Sequence, residues 1–159
     1  MVQLLEARDV APRLATGAFI LNSGLVHLRA DRATAEGLHG MAGVAYPFLN
    51  RVSAEQFTRL LAWSEIAVGG ALLAPFVPTR LAGLALTGFS GGLVGLYLRI
   101  PGMRQSKSLQ PTQDGIPLAK DVWMLGIGLG FLGAACPWQR AAASRWRWAS
   151  RRRHRCCRR

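Results

Sequence analysis

Residues 81–98 read Leu81-Ala82-Gly83-Leu84-Ala85-Leu86-Thr87-Gly88-Phe89-Ser90-Gly91-Gly92-Leu93-Val94-Gly95-Leu96-Tyr97-Leu98. The stretch holds no charge, and its polar groups are Thr87, Ser90 and Tyr97 alone. A helix of a soluble bundle keeps one polar stripe at a 3.6-residue period, and this stretch has none. Its length is close to the ~20 apolar residues that cross a bilayer. The expectation is a membrane-spanning helix.

Three similar stretches flank it: residues 12–28, 57–77 and 118–136. Charges within them are few: Arg13, Arg59, Glu65, and Lys120 with Asp121 at the start of the last. The expected fold class is therefore all-α, an integral membrane four-helix bundle. Its spans fall at about 12–30, 57–77, 80–99 and 118–136, after an N-terminal segment 1–11 and before a tail 137–159. The first stretch does not read as a cleavable signal, because Glu6 and Asp9 stand beside Arg8 and Arg13 and three apolar segments follow.

Local signals set the ends. Ser53-Ala54-Glu55-Gln56 has capping-box spacing, and Thr79 after Pro78 can cap the third helix. Pro101-Gly102 and Pro137 are stops. Residues 30–52 include a short helix from about Thr34, with Leu38, Met41, Val44 and Phe48 on one side, placed on the membrane surface or as a lid. Residues 100–117, rich in proline and glycine, read as an ordered loop. Small residues at four-residue steps permit close helix approach: Gly83, Thr87, Gly91 and Gly95; Gly126, Gly130 and Ala134; Ile66, Gly70 and Ala74.

Charge is unevenly placed. Lys and Arg outnumber Asp and Glu by 20 to 8, a net +12, yet residues 140–159 hold nine Arg and no acid, leaving +3 for the rest. Half the residues are hydrophobic, which excludes a disordered chain, and three Cys without a Cys-x-x-Cys exclude a disulfide scaffold. The tail is expected to be disordered and to clamp anionic lipid through Arg145, Trp146, Arg147, Trp148, Arg151, Arg152 and Arg153. Its composition is also what unselected translation of GC-rich DNA would give. No folded nucleic-acid module accompanies it, which argues against a nucleic-acid partner. Four spans put both termini on one side, and the tail arginines make that side cytoplasmic in a bacterial plasma membrane. Arg29, Arg32, Arg51, Arg99, Arg104, Lys107 and Lys120 in the long linkers count the other way.

Glu65 is the sharpest signal for function. A carboxylate deep in a span costs roughly 2.5–3.5 kcal/mol on insertion scales, so it needs an inward-facing partner or a proton. The first helix presents Asn22, Ser23 and His27. Tyr97, Arg99, Lys120 and Asp121 lie at the same end, and His39 can complete a lid. Two readings stay open. One is a structural clasp between helices. The other is a pocket in the outer half of the bundle that binds a quinone or another small ligand at Asn22, His27, Glu65, Tyr97, Arg99, Lys120 and Asp121. His27 and His39 lack metal-ligand spacing. There is no P-loop, no dinucleotide turn and no nucleophile triad, so no catalytic residue is assigned.

Several motifs carry a family resemblance. Gly17-Ala18-Phe19-Ile20-Leu21-Asn22-Ser23-Gly24 and Trp63-Ser64-Glu65-Ile66-Ala67-Val68-Gly69-Gly70-Ala71-Leu72-Leu73 resemble helices of the DoxX-like membrane proteins. Leu38-His39-Gly40-Met41, Tyr97-Leu98-Arg99-Ile100-Pro101-Gly102-Met103-Arg104, Pro111-Thr112-Gln113-Asp114-Gly115 and Ala119-Lys120-Asp121-Val122-Trp123 look like an actinobacterial branch of that family. The resemblance covers about residues 8–135, and the tail departs from it. It implies a four-helix inner-membrane bundle and a family that includes subunits of quinone-linked sulfur oxidoreductases. Glu65 stands where the family has its helix-two acid. The implied function is the membrane subunit of a redox system, with the bilayer and other redox subunits as partners. The rival is a non-catalytic scaffold or assembly factor.

Overall fold

The computed structural model describes residues 7–105 and 108–133. Helix α1 spans Ala7–His27, α2 Arg32–Ala45, α3 Ala54–Leu73 and α4 Thr79–Arg99; the short α5, Ile116–Ala119, leads into α6, Asp121–Gly133. A 3-10 turn, Pro47–Arg51, joins α2 to α3. Among the described residues there is no strand, only one isolated bridge between Arg104 and Pro111 in the loop after α4. The described residues form an all-helical fold.

The elements start where side chains can satisfy the orphan amides of a first turn. Ser53 and Gln56 form the full capping box of α3. Asp31 caps α2 by accepting from the Thr34 amide at 2.9 Å, and this holds its carboxyl below the usual range. Thr79 does not cap α4. Pro78 takes the cap position, and the Thr79 hydroxyl instead receives a hydrogen bond from Arg13. Gly102, at φ 87°, turns the chain after α4 in the left-handed region that favours glycine. The first helix begins at Ala7 rather than 12, and the second expected span begins at Ala54 and ends at Leu73, where Ala74 caps it.

Helices α1 and α3 pack along their lengths, as do α4 and α6; α3 also meets α4, and α1 meets α6. Helix α2 lies across α3 and α4. The core between them is Ile20, Val68, Leu72, Ala82, Leu86 and Phe131. Glycine makes the closest approaches. A Cβ on Gly69 would sit 2.7 Å from the Leu21 amide nitrogen, and one on Gly83 would sit 2.7 Å from the Phe131 Cβ. One on Gly128 would sit 2.5 Å from the Thr87 hydroxyl. The expected ridges hold in part: Gly83 and Gly95 make close contacts, Gly70, Gly91, Gly126 and Gly130 face open space, and Gly17, Gly24, Gly69 and Gly128 carry further contacts.

Among the described residues two helical segments are long and apolar enough to cross a membrane, Thr79–Arg99 and Ile116–Gly133. Helices α1 and α3 fall short of that measure, because each carries polar residues. Several of those residues turn inward: Asp9, Arg13 and Thr16 of α1 and Thr58 and Glu65 of α3 are buried, while Asn22 and Arg59 are exposed. The outward faces are the apolar ones, with Phe19, Leu60, Trp63, Leu84 and Trp123 exposed.

Candidate functional site

Glu65 is 5% exposed and points between α1 and α3. Its Oε1 accepts from the Ser23 hydroxyl at 2.9 Å, and its Oε2 lies 2.6 Å from Nδ1 of His27. Ser23 and His27 are four residues apart in α1, so they share one face. Phe57, Leu61 and Glu65 form the matching stripe on α3, again at four-residue steps.

This trio opens onto a cavity of about 290 Å³. Each helix gives it one face: Phe19, Ile20, Ser23 and His27 from α1; Leu38, Met41 and Ala42 from α2; Phe57, Leu61 and Glu65 from α3. Phe89, Leu93 and Leu96 come from α4, followed by Ile100; Pro117, Leu118, Asp121 and Met124 complete it from α5 and α6. The end of α1 and the starts of α3 and α6 meet here, so the cavity sits at the end of the molecule that carries the long linkers. Its wall is hydrocarbon and aromatic, broken by Ser23, His27, Glu65 and Asp121. That composition, apolar with a few convergent polar groups, is the usual make-up of a small-ligand site. Among the described residues no group of three His, Cys, Asp or Glu is placed to hold a metal.

The expected site residues separate into two sets. His27, Glu65 and Asp121 share the cavity. The others lie elsewhere. Asn22 is exposed, one helical position from Ser23, about 100° round the axis. Tyr97 is buried but donates to the Leu109 carbonyl at 2.7 Å, pinning the loop after α4. The Arg99 guanidinium sits 4.8 Å over the Tyr46 ring and reaches the Ala45 carbonyl, tying the end of α2 to α4. Lys120 is exposed and does not line the cavity. His39 hydrogen-bonds through Nε2 to the Leu49 carbonyl at 3.1 Å and packs on Phe57; the cover over the cavity comes from its neighbours Leu38, Met41 and Ala42. The tail residues Arg145, Trp146, Arg147, Trp148, Arg151, Arg152 and Arg153 lie outside the described residues.

A second buried polar cluster lies at the opposite end, so the buried charges do not all gather under the long linkers. Arg13 is 1% exposed. Its Nε donates to the Leu72 carbonyl, NH1 to Val77 O and Thr79 Oγ1, and NH2 to Ala71 O and Ala74 O, all at 2.8–3.1 Å. Three of these carbonyls, from residues 71, 72 and 74, belong to the end of α3, where backbone acceptors have no intrahelical partner. All five guanidinium protons are used. In sequence, Arg13 stands four residues after Asp9, also buried; that i, i+4 pair was the available signal. The acceptors, 58 to 66 residues away, left none.

Compared with models of known families, with curated proteins and with solved structures, the chain matches none.

Proposed function

We propose that this chain is a multi-pass membrane protein that holds a small amphiphilic ligand in the cavity between Ser23, His27, Glu65 and Asp121. The carrying observation is that polar groups from three helices converge on one apolar cavity while the outer surface stays apolar. A soluble monomer rarely leaves large apolar patches open to water. Here Phe19, Leu60, Trp63, Leu84 and Trp123 face outward and Arg13 and Glu65 face inward, which is how lipid would order them. Glycine contacts between α1 and α3 and between α4 and α6 support the same reading, since packing in lipid relies on close backbone approach. All four of these helices then span, with Arg13 of α1 and Glu65 of α3 hydrogen-bonded inside.

In this reading the chain is DoxX-like, sits in a bacterial plasma membrane with both termini cytoplasmic, and serves as the membrane subunit of a larger assembly. The resemblance implies a redox assembly and a quinone. The aromatic wall suits a quinone ring. Its carbonyls, however, need donors, and the Ser23 and His27 Nδ1 protons are already directed at Glu65. The carboxylates Glu65 and Asp121 oppose a quinone carbonyl with acceptors, and no redox step is drawn through one.

Mass spectrometry of the solvent extract of the purified protein tests the ligand site. A small molecule recovered in stoichiometric amount from the wild type, and lost from Glu65→Gln, is expected. Equal recovery from both proteins, or none from the wild type, overturns it. The second reading, a clasp within a scaffold, is favoured by the mutual satisfaction of Ser23, His27 and Glu65. It predicts that Glu65→Ala lowers thermal stability and changes no ligand.

A further inference from the structure

The hydrogen-bond inventory of the cavity narrows the ligand's chemistry. An ionised Glu65 can only accept. It takes the Ser23 hydroxyl proton on Oε1 and the His27 Nδ1 proton on Oε2. Asp121 is 9% exposed and lines the same cavity, and no hydrogen bond or ion pair from a described residue reaches its side chain.

No Lys or Arg lines the cavity. Arg13 is committed at the other end of α3, Arg99 lies over Tyr46, and Lys120 faces out. The polar side of the cavity therefore carries two carboxylates, with Ser23 and His27 both engaged by one of them, Glu65. Its apolar side carries the rings of Phe19, Phe57 and Phe89. A buried carboxylate without a donor is costly. The ligand that relieves it brings both donors and positive charge, and an ammonium also gains from aromatic faces.

We propose that the cavity selects a small hydrophobic amine, its ammonium bound by Asp121 and the open lone pairs of Glu65, its apolar body against the three phenylalanines. This rests on the reading of the cavity as a ligand site. At about 290 Å³ the cavity is near the lower end of ligand pockets, so the amine is compact.

Calorimetry on the full chain in lipid nanodiscs, with empty nanodiscs as blank, tests the assignment using 4-phenylbutylamine, its neutral analogue 4-phenylbutanol, and duroquinone. The amine should bind about tenfold or more tighter than the alcohol, as expected for a charge-assisted bond. Asp121→Asn should erase that preference and Asp121→Glu should keep it. Equal binding of amine and alcohol by the wild type, or a preference that survives in Asp121→Asn, overturns the amine assignment. Tightest binding by the alcohol or the quinone also overturns it while leaving the ligand site standing. Binding of none of the three overturns both. The wild-type comparison decides even where a variant does not fold.

Discussion

Replacing Arg13 with Met keeps the length of the side chain and removes every donor. Five acceptors lose their partner: the carbonyls of Leu72, Ala71, Ala74 and Val77, and the Thr79 hydroxyl. Each hydrogen bond to a charged group is worth about 1.5–3 kcal/mol net. The sum overstates the loss, because the guanidinium also gives up its own desolvation cost. Breaking a buried charged network by removing one partner typically costs about 3–5 kcal/mol. For a chain of this size each kcal/mol moves the midpoint by ~2–4 °C, so the drop should be roughly 6–20 °C. Arg13→Lys should fall between wild type and Arg13→Met, since an ammonium has three donors and cannot fork. Scanning fluorimetry in detergent reads this through the tryptophans. A midpoint for Arg13→Met within about 2 °C of wild type would refute the claim that this residue ties α1 to the α3–α4 turn.

Further outcomes follow from the same geometry. Gly69→Ala and Gly128→Ala should separate α1 from α3 and α4 from α6 and lower the thermal midpoint, whereas Gly70→Ala and Gly88→Ala, with open space at the Cβ, should hold or raise it; a reversed order would show that the helix faces are wrongly placed. Thr58 is buried with its hydroxyl unpartnered, so Thr58→Val should be neutral or stabilising by about 1 kcal/mol in the same assay. The Asp31 carboxyl is held low by its bonds to Thr34. Its cap is therefore present at and above the ordinary carboxylate range and is lost as pH falls below it. The protection factor of the Thr34 amide, its exchange rate relative to the intrinsic rate at the same pH, should fall below about pH 4 in wild type and be low at every pH in Asp31→Ala; an unchanged protection profile in the variant would count against the cap.

Much of the fold was legible because helix-forming and apolar signals are local. The uncharged run 81–98 became α4, and Ser53 with Gln56 became the capping box as their spacing requires. What was lost was phase and partnership. One residue is about 100° of helix, so Asn22 and Ser23 look equivalent in sequence yet face solvent side and cavity. A two-residue offset, about 200°, separates Gly126 and Gly130, which are open, from Gly128, which lies against Thr87. Thr79 has a good capping chemistry, but the tertiary demand of Arg13 claims its hydroxyl. Glu65 was legible as a buried acid with partners in α1 and with Asp121 at the same end; that Tyr97, Arg99 and Lys120 miss the cavity required the packed helices.

The central claim, that the cavity under α2 is occupied by a ligand, is tested most directly by filling it. Leu61 lines the cavity one turn from Glu65 and touches no part of the Ser23–His27–Glu65 bonding. Native mass spectrometry of the intact protein released from nanodiscs should show a bound small-molecule mass in the wild type and its loss in Leu61→Trp, with the variant still folded. The same bound mass in both proteins, or an unliganded wild type, would contradict the account.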